Sequence, residues 1–378
     1  MKILILGADG YLGWSTTLGL SQDNHNLILV DNYSKRKYMK KLKRKLLNNN
    51  LKVETKMKYL RRKISFHNID CSDIKKLRNV INKYKPDTII HFAELPSAPF
   101  SMLNNHYSWE TLKNNLQSTF NLLECAKDLI PDSHIIKLGT MGEYGTPNID
   151  IEEGWLNIKH NKRSDKFLYP RQGSSLYHTS KIMDTDLIWF YTRIHQLRCT
   201  DLMQGPVYGI YPDLENKDDR LVPSFAYDDI FGTVLNRFIV QAIAKEPLTV
   251  YGSGNQIRGY INVIDTIKCI KIALKNIPQK GELRIYNQFT EQFSVLELAE
   301  LVKSSLKHIN VEVTVKKIIN PRIEKEKHYY NAKHSNLRKL GLNPLKLNKN
   351  IIIEMARYCQ KLSHNIDRDI IQPRVNWK

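Results

Sequence analysis

The chain has 378 residues, 42% hydrophobic and 25% charged, which supplies the core of one large α/β domain or of two domains. No run approaches the ~20 apolar residues of a membrane-crossing helix, and five scattered cysteines without a CxxC pair (Cys71, Cys125, Cys199, Cys269 and Cys359) argue against a disulfide framework or a zinc site. The formal net charge is +20, much of it in "SKRKYMKKLKRKLLNNNLKVETKMKYLRRK" at 34–63; no nucleic-acid motif accompanies it, so it reads as a solvated basic helix that also draws in anionic ligands.

In chain order, "KILILG" (2–7) reads as a buried strand running directly into a glycine loop, unlike a signal peptide. "YLGWSTTLGLSQ" (11–22) is a helix and "NLILVD" (26–31) a second strand, followed by the basic insertion. "KISFHNID" (63–70) is a third strand, "DIKKLRNVINKY" (73–84) a helix with apolar residues at helical spacing, and "DTIIHFA" (87–93) a fourth strand. A long helix "SWETLKNNLQSTFNLLECAKDL" (108–129), a fifth strand "HIIKLG" (134–139), a helix over Ser174 to His195 and a sixth strand "CTDLMQ" (199–204) continue the alternation. This alternation predicts an α/β fold with a Rossmann-type doubly wound parallel sheet.

Beyond Gly205 the alternation weakens. "LTVYGSGNQIRGYINVID" (248–265), "ELRIYNQ" (282–288) and "VEVTVKKI" (311–318) read as short strands between helices. Residues 1–205 are therefore assigned to a dinucleotide-binding domain. Residues 206–378 are assigned mainly to a smaller mixed α/β substrate domain, with the chain crossing back to the first. The stretch from Thr146 to Gly173 reads as a long irregular loop of the kind that forms lids and binding loops.

"GADGYLG" places Gly7, Gly10 and Gly13 between a strand and a helix. Glycines there permit a tight turn and close approach of a pyrophosphate to the helix N-terminus. Asp31 ends the second strand, where a carboxylate accepts hydrogen bonds from the ribose hydroxyls of NAD. Tyr11, Leu12, Asn32 and Arg36 complete the candidate contacts, and Lys35 with Arg36 leaves NADP open at this stage. Asp70 reads either as a contact to the adenine edge or as an acid of a helix N-cap region. In "YHTSK", Tyr177 and Lys181 lie four residues apart, on one face of a helix. An ammonium beside a phenol lowers its pKa, and a phenolate suits removal of a proton from a sugar hydroxyl.

With Thr140 ending a strand between these motifs, the chain resembles an extended short-chain dehydrogenase/reductase acting on nucleotide sugars. The resemblance implies that Thr140 hydrogen-bonds the oxidised hydroxyl and that Asn115, in "NNLQST", lies near the active site and the cofactor. Sugar-nucleotide 4,6-dehydratases of this family carry an Asp-Glu pair directly after that threonine; here the positions hold Met141 and Gly142. "TMGEYGTPNIDIEEG", "YHTSK", "DIFGTVLNRFIVQA", "LTVYG", "NQFTEQFSV" and "PRIEKEKHYYNAKHS" together resemble the UDP-sulfoquinovose synthase subfamily, from the glycine loop almost to the C-terminal "VNWK".

That resemblance implies a reaction of UDP-glucose with sulfite. C4 is oxidised with NAD as the cofactor, water is lost across C5 and C6, sulfite adds at C6, and C4 is reduced again. Tyr177 becomes the base at O4, and Lys181 its tuner and a contact of the cofactor. His178, which exchanges protons near neutral pH, and Glu143 are the alternatives for the C5/C6 chemistry. Met141 either shapes the pocket or merely packs. Arg237, Arg258 and Arg322 match the family's substrate-side cations for the UDP diphosphate, with Gln204 and Tyr251 beside them. Where the subfamily usually has Gln-Arg after "HF-x-E", this chain has Leu95 and Pro96, while Glu94 and Ser97 keep the loop; sulfite handling would then fall to "KHNKR" (159–163) or the basic insertion.

The resemblance further implies a homodimer built on two long helices, room for a sulfite-donating protein partner, and no metal. The location implied is the cytoplasm, or the plastid stroma for a chain without its transit peptide. The competing readings are a UDP-hexose 4-epimerase or other nucleotide-sugar oxidoreductase, which needs no C6 chemistry, and an NAD-containing binding protein associated with RNA.

Overall fold

The computed structural model describes residues 1–48, 51–60, 64–211, 218–322 and 329–375. Parts of the basic insertion (49–50 and 61–63), of the last arginine segment (323–328) and of the C-terminal "VNWK" (376–378) lie outside the described residues. The elements in chain order begin β1 (Lys2–Leu6), α1 (Tyr11–Ser21), β2 (Asn26–Asp31), α2 (Ser34–Lys41), α3 (Val53–Met57), β3 (Ile64–Asn68), α4 (Ile74–Tyr84), β4 (Thr88–His91), α5 (Ala98–Ser101), α6 (Asn105–Leu129) and β5 (His134–Thr140). They continue with β6 (Trp155–His160), β7 (Arg163–Leu168), α7 (Leu176–His195), β8 (Arg198–Gln204), β9 (Val207–Tyr208), α8 (Val234–Ile243), β10 (Leu248–Tyr251), β11 (Ile257–Asn262) and α9 (Val263–Lys275). The last are β12 (Leu283–Gln288), β13 (Glu291–Ser294), α10 (Val295–Lys307), β14 (Val315–Ile318), α11 (Asn336–Lys339) and α12 (Lys349–Lys361).

Seven strands form one parallel sheet in the order β12-β8-β5-β4-β1-β2-β3. Their runs of isoleucine, leucine and valine are buried because helices cover both faces. One face packs Leu4, Ile28, Ile89 and Ile135 against α4, α6 and α7; the other packs Ile3, Ile5 and Leu29 against α1 and α9. Each such side chain contributes roughly 1.5–3 kcal/mol on burial. Strand order reverses between β1 and β4, so the crevice at the strands' C-terminal ends opens there.

The part after Gly205 forms its own core around Phe238, Leu248, Leu298 and Met355. It also returns to the first sheet: α9 packs on α1, and β12 pairs with β8 in register Leu283 to Cys199.

Two expectations change. The basic insertion is not one solvated helix. It contains α2 and α3, separated where Lys43 takes φ 52°, and it buries Met39, Leu47, Val53 and Lys56. The apolar residues between the lysines need cover, and Leu47 finds it in the cluster that contains Phe225 and Phe238, where its backbone N–H also donates to the Phe225 carbonyl at 3.0 Å. Burial pushes the Lys56 ammonium down to about 7. The stretch from Thr146 to Gly173 is irregular only at its two ends. It holds the antiparallel hairpin β6–β7, turned at Asn161 and Lys162 with positive φ. Trp155 anchors the hairpin edge-on against Trp189 of α7. Of "VEVTVKKI" only Val315–Ile318 is strand. All five cysteines are free and buried.

Candidate active site

A cavity of about 570 Å³ lies along the C-terminal ends of the sheet strands, between the two parts of the chain. At its floor, the β1–α1 turn requires glycine for two reasons. Gly7 has φ 85°, and a Cβ there would sit 2.6 Å from the Phe92 carbonyl; a Cβ on Gly13 would sit 2.1 Å from Gly7 O. Gly10 caps α1 without any side-chain hydrogen bond. The helix N-terminus therefore meets the cavity with its first N–H groups uncapped, as a diphosphate requires.

Gly7, Gly10, Tyr11, Leu12, Gly13, Asp31, Asn32, Arg36 and Asp70 all line this end. The Asp31 carboxylate accepts the backbone N–H groups of Asp9 (2.8 Å) and Tyr33 (2.7 Å). Burial and the neighbouring Asp9 push its pKa up to about 6, against those two bonds. Arg36 grips Asp9 through two donors, at 2.5 and 2.7 Å. Arg36, which with Lys35 leaves NADP open in the sequence, is thus engaged by Asp9, a carboxylate inside the glycine loop itself. Asp70 faces the cavity and also makes a local turn, accepting from Ser72 N (2.8 Å) and from the Asn32 amide (2.9 Å). The N-cap of α4 is Asp73 instead.

Asn115 is a correction. It is fully buried and absent from the cavity lining. Its Oδ1 accepts Leu95 N at 2.7 Å and its Nδ2 donates to Ser180 Oγ at 3.0 Å. It ties the loop after β4 to α7 and so positions the site without touching it.

At the catalytic end, Ser175 caps α7 by accepting His178 N at 3.2 Å, which puts Tyr177 in the first turn and Lys181 one turn on. Ser101 Oγ accepts Tyr177 N at 3.0 Å. Thr140 ends β5 and caps a short turn over Met141–Glu143; its Oγ1 accepts Gly142 N at 3.2 Å, leaving the hydroxyl proton free to donate. Thr140, Met141, Tyr177, His178 and Lys181 line the cavity together.

Three electrostatic expectations fail here. Lys181 was to lower the Tyr177 pKa. Its ammonium instead forms an ion pair with Glu94 and donates to the Leu138 carbonyl at 2.5 Å. Burial raises the Tyr177 pKa above its ordinary value, and Glu94 and Glu143 raise it further. His178 was to titrate near neutrality; burial, reinforced by Arg322 and Arg258, pushes it down to about 3. Its imidazole is neutral, with Nδ1 3.2 Å from Ser174 Oγ. Glu143 was a candidate acid or base, but it does not line the cavity. Its Oε1 accepts Thr140 N at 3.3 Å and its Oε2 accepts Thr185 Oγ1 at 3.1 Å, beside Lys137 Nζ at 3.6 Å. The turn's capping box points this carboxylate backward into the core, where burial raises its pKa.

On the opposite wall, Gln204, Arg237, Tyr251, Arg258 and Arg322 all reach the cavity. The guanidiniums of Arg237 and Arg322 lie 5.4 and 5.8 Å from the centre of the Tyr251 ring. Arg237 is buried, and its Nε has no hydrogen-bond partner among the described residues. Such a donor is costly unless a ligand oxygen meets it. Gln204 Nε2 donates to Gln288 Oε1 at 3.1 Å, which links the wall to β12. Pro96 and Ser97 line the cavity, whereas "KHNKR" sits at the exposed tip of the β6–β7 hairpin and does not reach it. No group of three or more metal-ligating side chains and no helix long and apolar enough to cross a membrane occurs among the described residues.

The profile of the NAD dependent epimerase/dehydratase family matches residues 3–287. Over its full length the chain is 41% identical to the chloroplastic UDP-sulfoquinovose synthase of Spinacia oleracea, covering 79% of that protein. It is 37% identical, again over its full length, to the UDP-sulfoquinovose synthase of Sulfolobus acidocaldarius, covering 98% of it. The crystal structure of UDP-glucose 4-epimerase from Bifidobacterium longum, in complex with NAD+ and UDP, has the same fold, with a TM-score of 0.71 at 20% identity over 97% of this chain and 100% of that one. A parallel sheet with its crevice at the β1/β4 reversal, a glycine-lined helix N-terminus, and a threonine, tyrosine and lysine on one cavity wall accord with these matches: the chain belongs to the NAD dependent epimerase/dehydratase family.

Proposed function

We propose that this enzyme converts UDP-glucose and sulfite into UDP-sulfoquinovose, a sulfonated sugar nucleotide for sulfolipid head groups. One observation carries the reading. The Thr140 turn presents Met141 and Gly142 with no carboxylate to the cavity and packs His178 against Gly142, in a chain similar over its full length to two UDP-sulfoquinovose synthases.

NAD supplies reversible oxidation at C4 and is regenerated in each turnover. The residues that would hold it are Gly7, Gly10 and Gly13 at the diphosphate, Asp31 at the ribose, and Lys181. Tyr177 takes the O4 proton, with the Thr140 hydroxyl donating to the same oxygen. Oxidation at C4 acidifies the C5 proton, so loss of the 6-hydroxyl needs one proton acceptor and one donor. Neutral His178 takes the C5 proton in this reading and, once protonated, hands it to the departing 6-hydroxyl, which leaves as water; bisulfite then adds through sulfur to the alkene at C6 and its proton returns to C5 by way of His178. Met141 gives that end of the cavity an apolar wall. Arg237, Arg258 and Arg322 hold the UDP diphosphate. Residues 1–205 then carry mainly the cofactor and 206–378 mainly the sugar nucleotide.

The exposed apolar face of α6 and α7 (Trp109, Phe120, Met183, Phe190 and Ile194) supports a homodimer. Light scattering at the mass of two chains is the expected result.

The test of function is incubation of the purified protein with UDP-glucose and sulfite, read by mass spectrometry. A UDP-sugar carrying sulfonate in place of the 6-hydroxyl is expected. UDP-galactose without a sulfonated product would make it an epimerase. Salt-sensitive RNA retention without turnover of any UDP-hexose would make it a binding protein.

A further inference from the structure

Arg44 belongs to the basic insertion, yet its guanidinium acts on the opposite wall of the cavity. Lys43, with its positive φ, turns the chain at the end of α2, and Arg44 N donates to the Met39 carbonyl at 2.8 Å. The side chain then reaches two adjacent carboxylates, the nearer one 185 residues away in sequence. Its Nε and Nη2 lie 3.0 and 2.9 Å from Asp229 Oδ1, and Nε lies 3.8 Å from Asp228 Oδ1. Both aspartates are buried, and among the described residues no other cationic side chain lies within ion-pair distance of either. Two like charges this close in the interior need a counter-charge. The two carboxylates in turn build the loop before α8. Asp228 Oδ1 accepts Ile230 N at 2.8 Å and Phe231 N at 2.9 Å, and Asp229 Oδ2 accepts Arg374 N at 3.1 Å. Residues 229–234 line the cavity; Arg44 does not. The loop feeds directly into α8, where Thr233 makes no side-chain cap and Arg237 N donates to the Thr233 carbonyl at 3.0 Å. The first N–H groups of α8 therefore stay open beside Arg237.

We propose that Arg44 is a positioning residue for the diphosphate of the sugar nucleotide: it neutralises Asp228 and Asp229, fixes the loop over 228–233, and so sets the α8 N-terminus and Arg237 against the ligand. Without Arg44 the two carboxylates repel each other across a buried gap. One must then take up a proton or turn away, and the bonds that Asp228 makes to Ile230 and Phe231 weaken with it. Burial already raises the Asp228 pKa and Asp229 adds to the rise, whereas Arg44 works the other way. The insertion keeps its other holds on this part of the chain. Leu47 N donates to the Phe225 carbonyl, Asn48 Oδ1 accepts Phe225 N at 3.0 Å, and Asn48 Nδ2 donates to the Pro223 carbonyl at 2.8 Å. Replacement of Arg44 therefore falls on the loop and not on the docking of the insertion.

The inference rests on the reading of the Arg237 wall as the diphosphate site, but not on the sulfite chemistry. Its test is calorimetric titration of UDP into the NAD-loaded protein. Arg44→Met is expected to raise the Kd for UDP by at least about tenfold while the bound NAD stays at wild-type content. Arg44→Lys, which keeps the charge, is expected to remain within about threefold of wild type. Wild-type affinity for UDP in folded Arg44→Met would overturn the proposal. Loss of NAD alongside UDP would overturn it too, because a general loosening of the insertion would then explain both. If Arg44→Met does not fold, Arg44→Gln decides by the same two readings. A wild-type protein that does not bind UDP would remove the reading of the wall and the proposal with it. Failure to turn over UDP-glucose and sulfite, with UDP bound normally, would count only against the proposed function.

Discussion

The close approach of Gly142 to His178 gives a way to disturb the histidine without removing it. A Cβ built on Gly142 would lie 2.3 Å from Nε2, 2.5 Å from Cδ2 and 2.9 Å from Cε1 of His178. Gly142 does not have positive φ, so alanine suits its backbone and the whole effect falls on the contact. Restoring a contact of about 3.5 Å requires the ring to retreat by roughly 1 Å. Overpacking of this kind costs about 1–3 kcal/mol of stability, which a large domain survives. A misplacement of ~1 Å at a reacting group costs on the order of 10²-fold in rate. Gly142→Ala is therefore expected to slow the C5/C6 elimination about 100-fold while NAD is still reduced by UDP-glucose. The assay follows NADH absorbance in a single turnover and, in parallel, exchange of the C5 hydrogen with deuterated solvent by NMR. Exchange at the wild-type rate in a folded Gly142→Ala protein would refute the role given to His178 and to the bare turn beside it.

Two further outcomes follow from the buried charges. Glu143→Ala leaves Lys137 with Asp201 but without its second counter-charge, and should cost about 3 kcal/mol of unfolding free energy in urea; the milder Glu143→Gln should leave C5 exchange near the wild-type rate, because the carboxylate faces away from the cavity. His134, held by Thr200 at 2.8 Å, has its pKa pushed down to about 3, chiefly by burial. Its unfolded value lies higher, so the neutral form's contribution is fully present above about pH 6.5 and is lost as pH falls toward about 3. His134→Asn should therefore flatten the fall of stability below about pH 6.5, by up to about 1.4 kcal/mol per pH unit; urea midpoints at neutral and mildly acid pH check this.

The parts of the site legible in the sequence are those whose constraint is local. Gly7 and Gly13 are demanded by atoms of the same turn and the adjoining strand, and Tyr177 and Lys181 share a face because a helix repeats. The orientation of Glu143 has a local signal as well: Thr140-x-x-Glu143 is a capping-box spacing, and a glutamate used that way turns its carboxylate back along the chain. The β6–β7 hairpin was hidden because its outer residues are mostly polar and exposed, which blurs the strand alternation; Asn161 at its tip was the available cue. The ion pair of Glu94 with Lys181 had no such cue, since only the sheet brings the two residues together.

The low basicity of His178 also bears on how the enzyme uses it. Burial is the largest cause of the depression, but Arg322 and Arg258 follow, and both belong to the wall read as the diphosphate site. Without a nucleotide their positive charge disfavours a second proton on the imidazole. A bound diphosphate places negative charge against the same guanidiniums and cancels part of that field. The histidine should then become a better base when UDP is in place, which couples its proton chemistry to occupancy by the sugar nucleotide. Ring NMR titration of His178, assigned with His178→Gln, is expected to show a higher pKa in the UDP-bound holoenzyme than in the UDP-free one. An equal or lower value with UDP bound would mean that burial alone sets the basicity. The arginines would then serve only to hold the nucleotide.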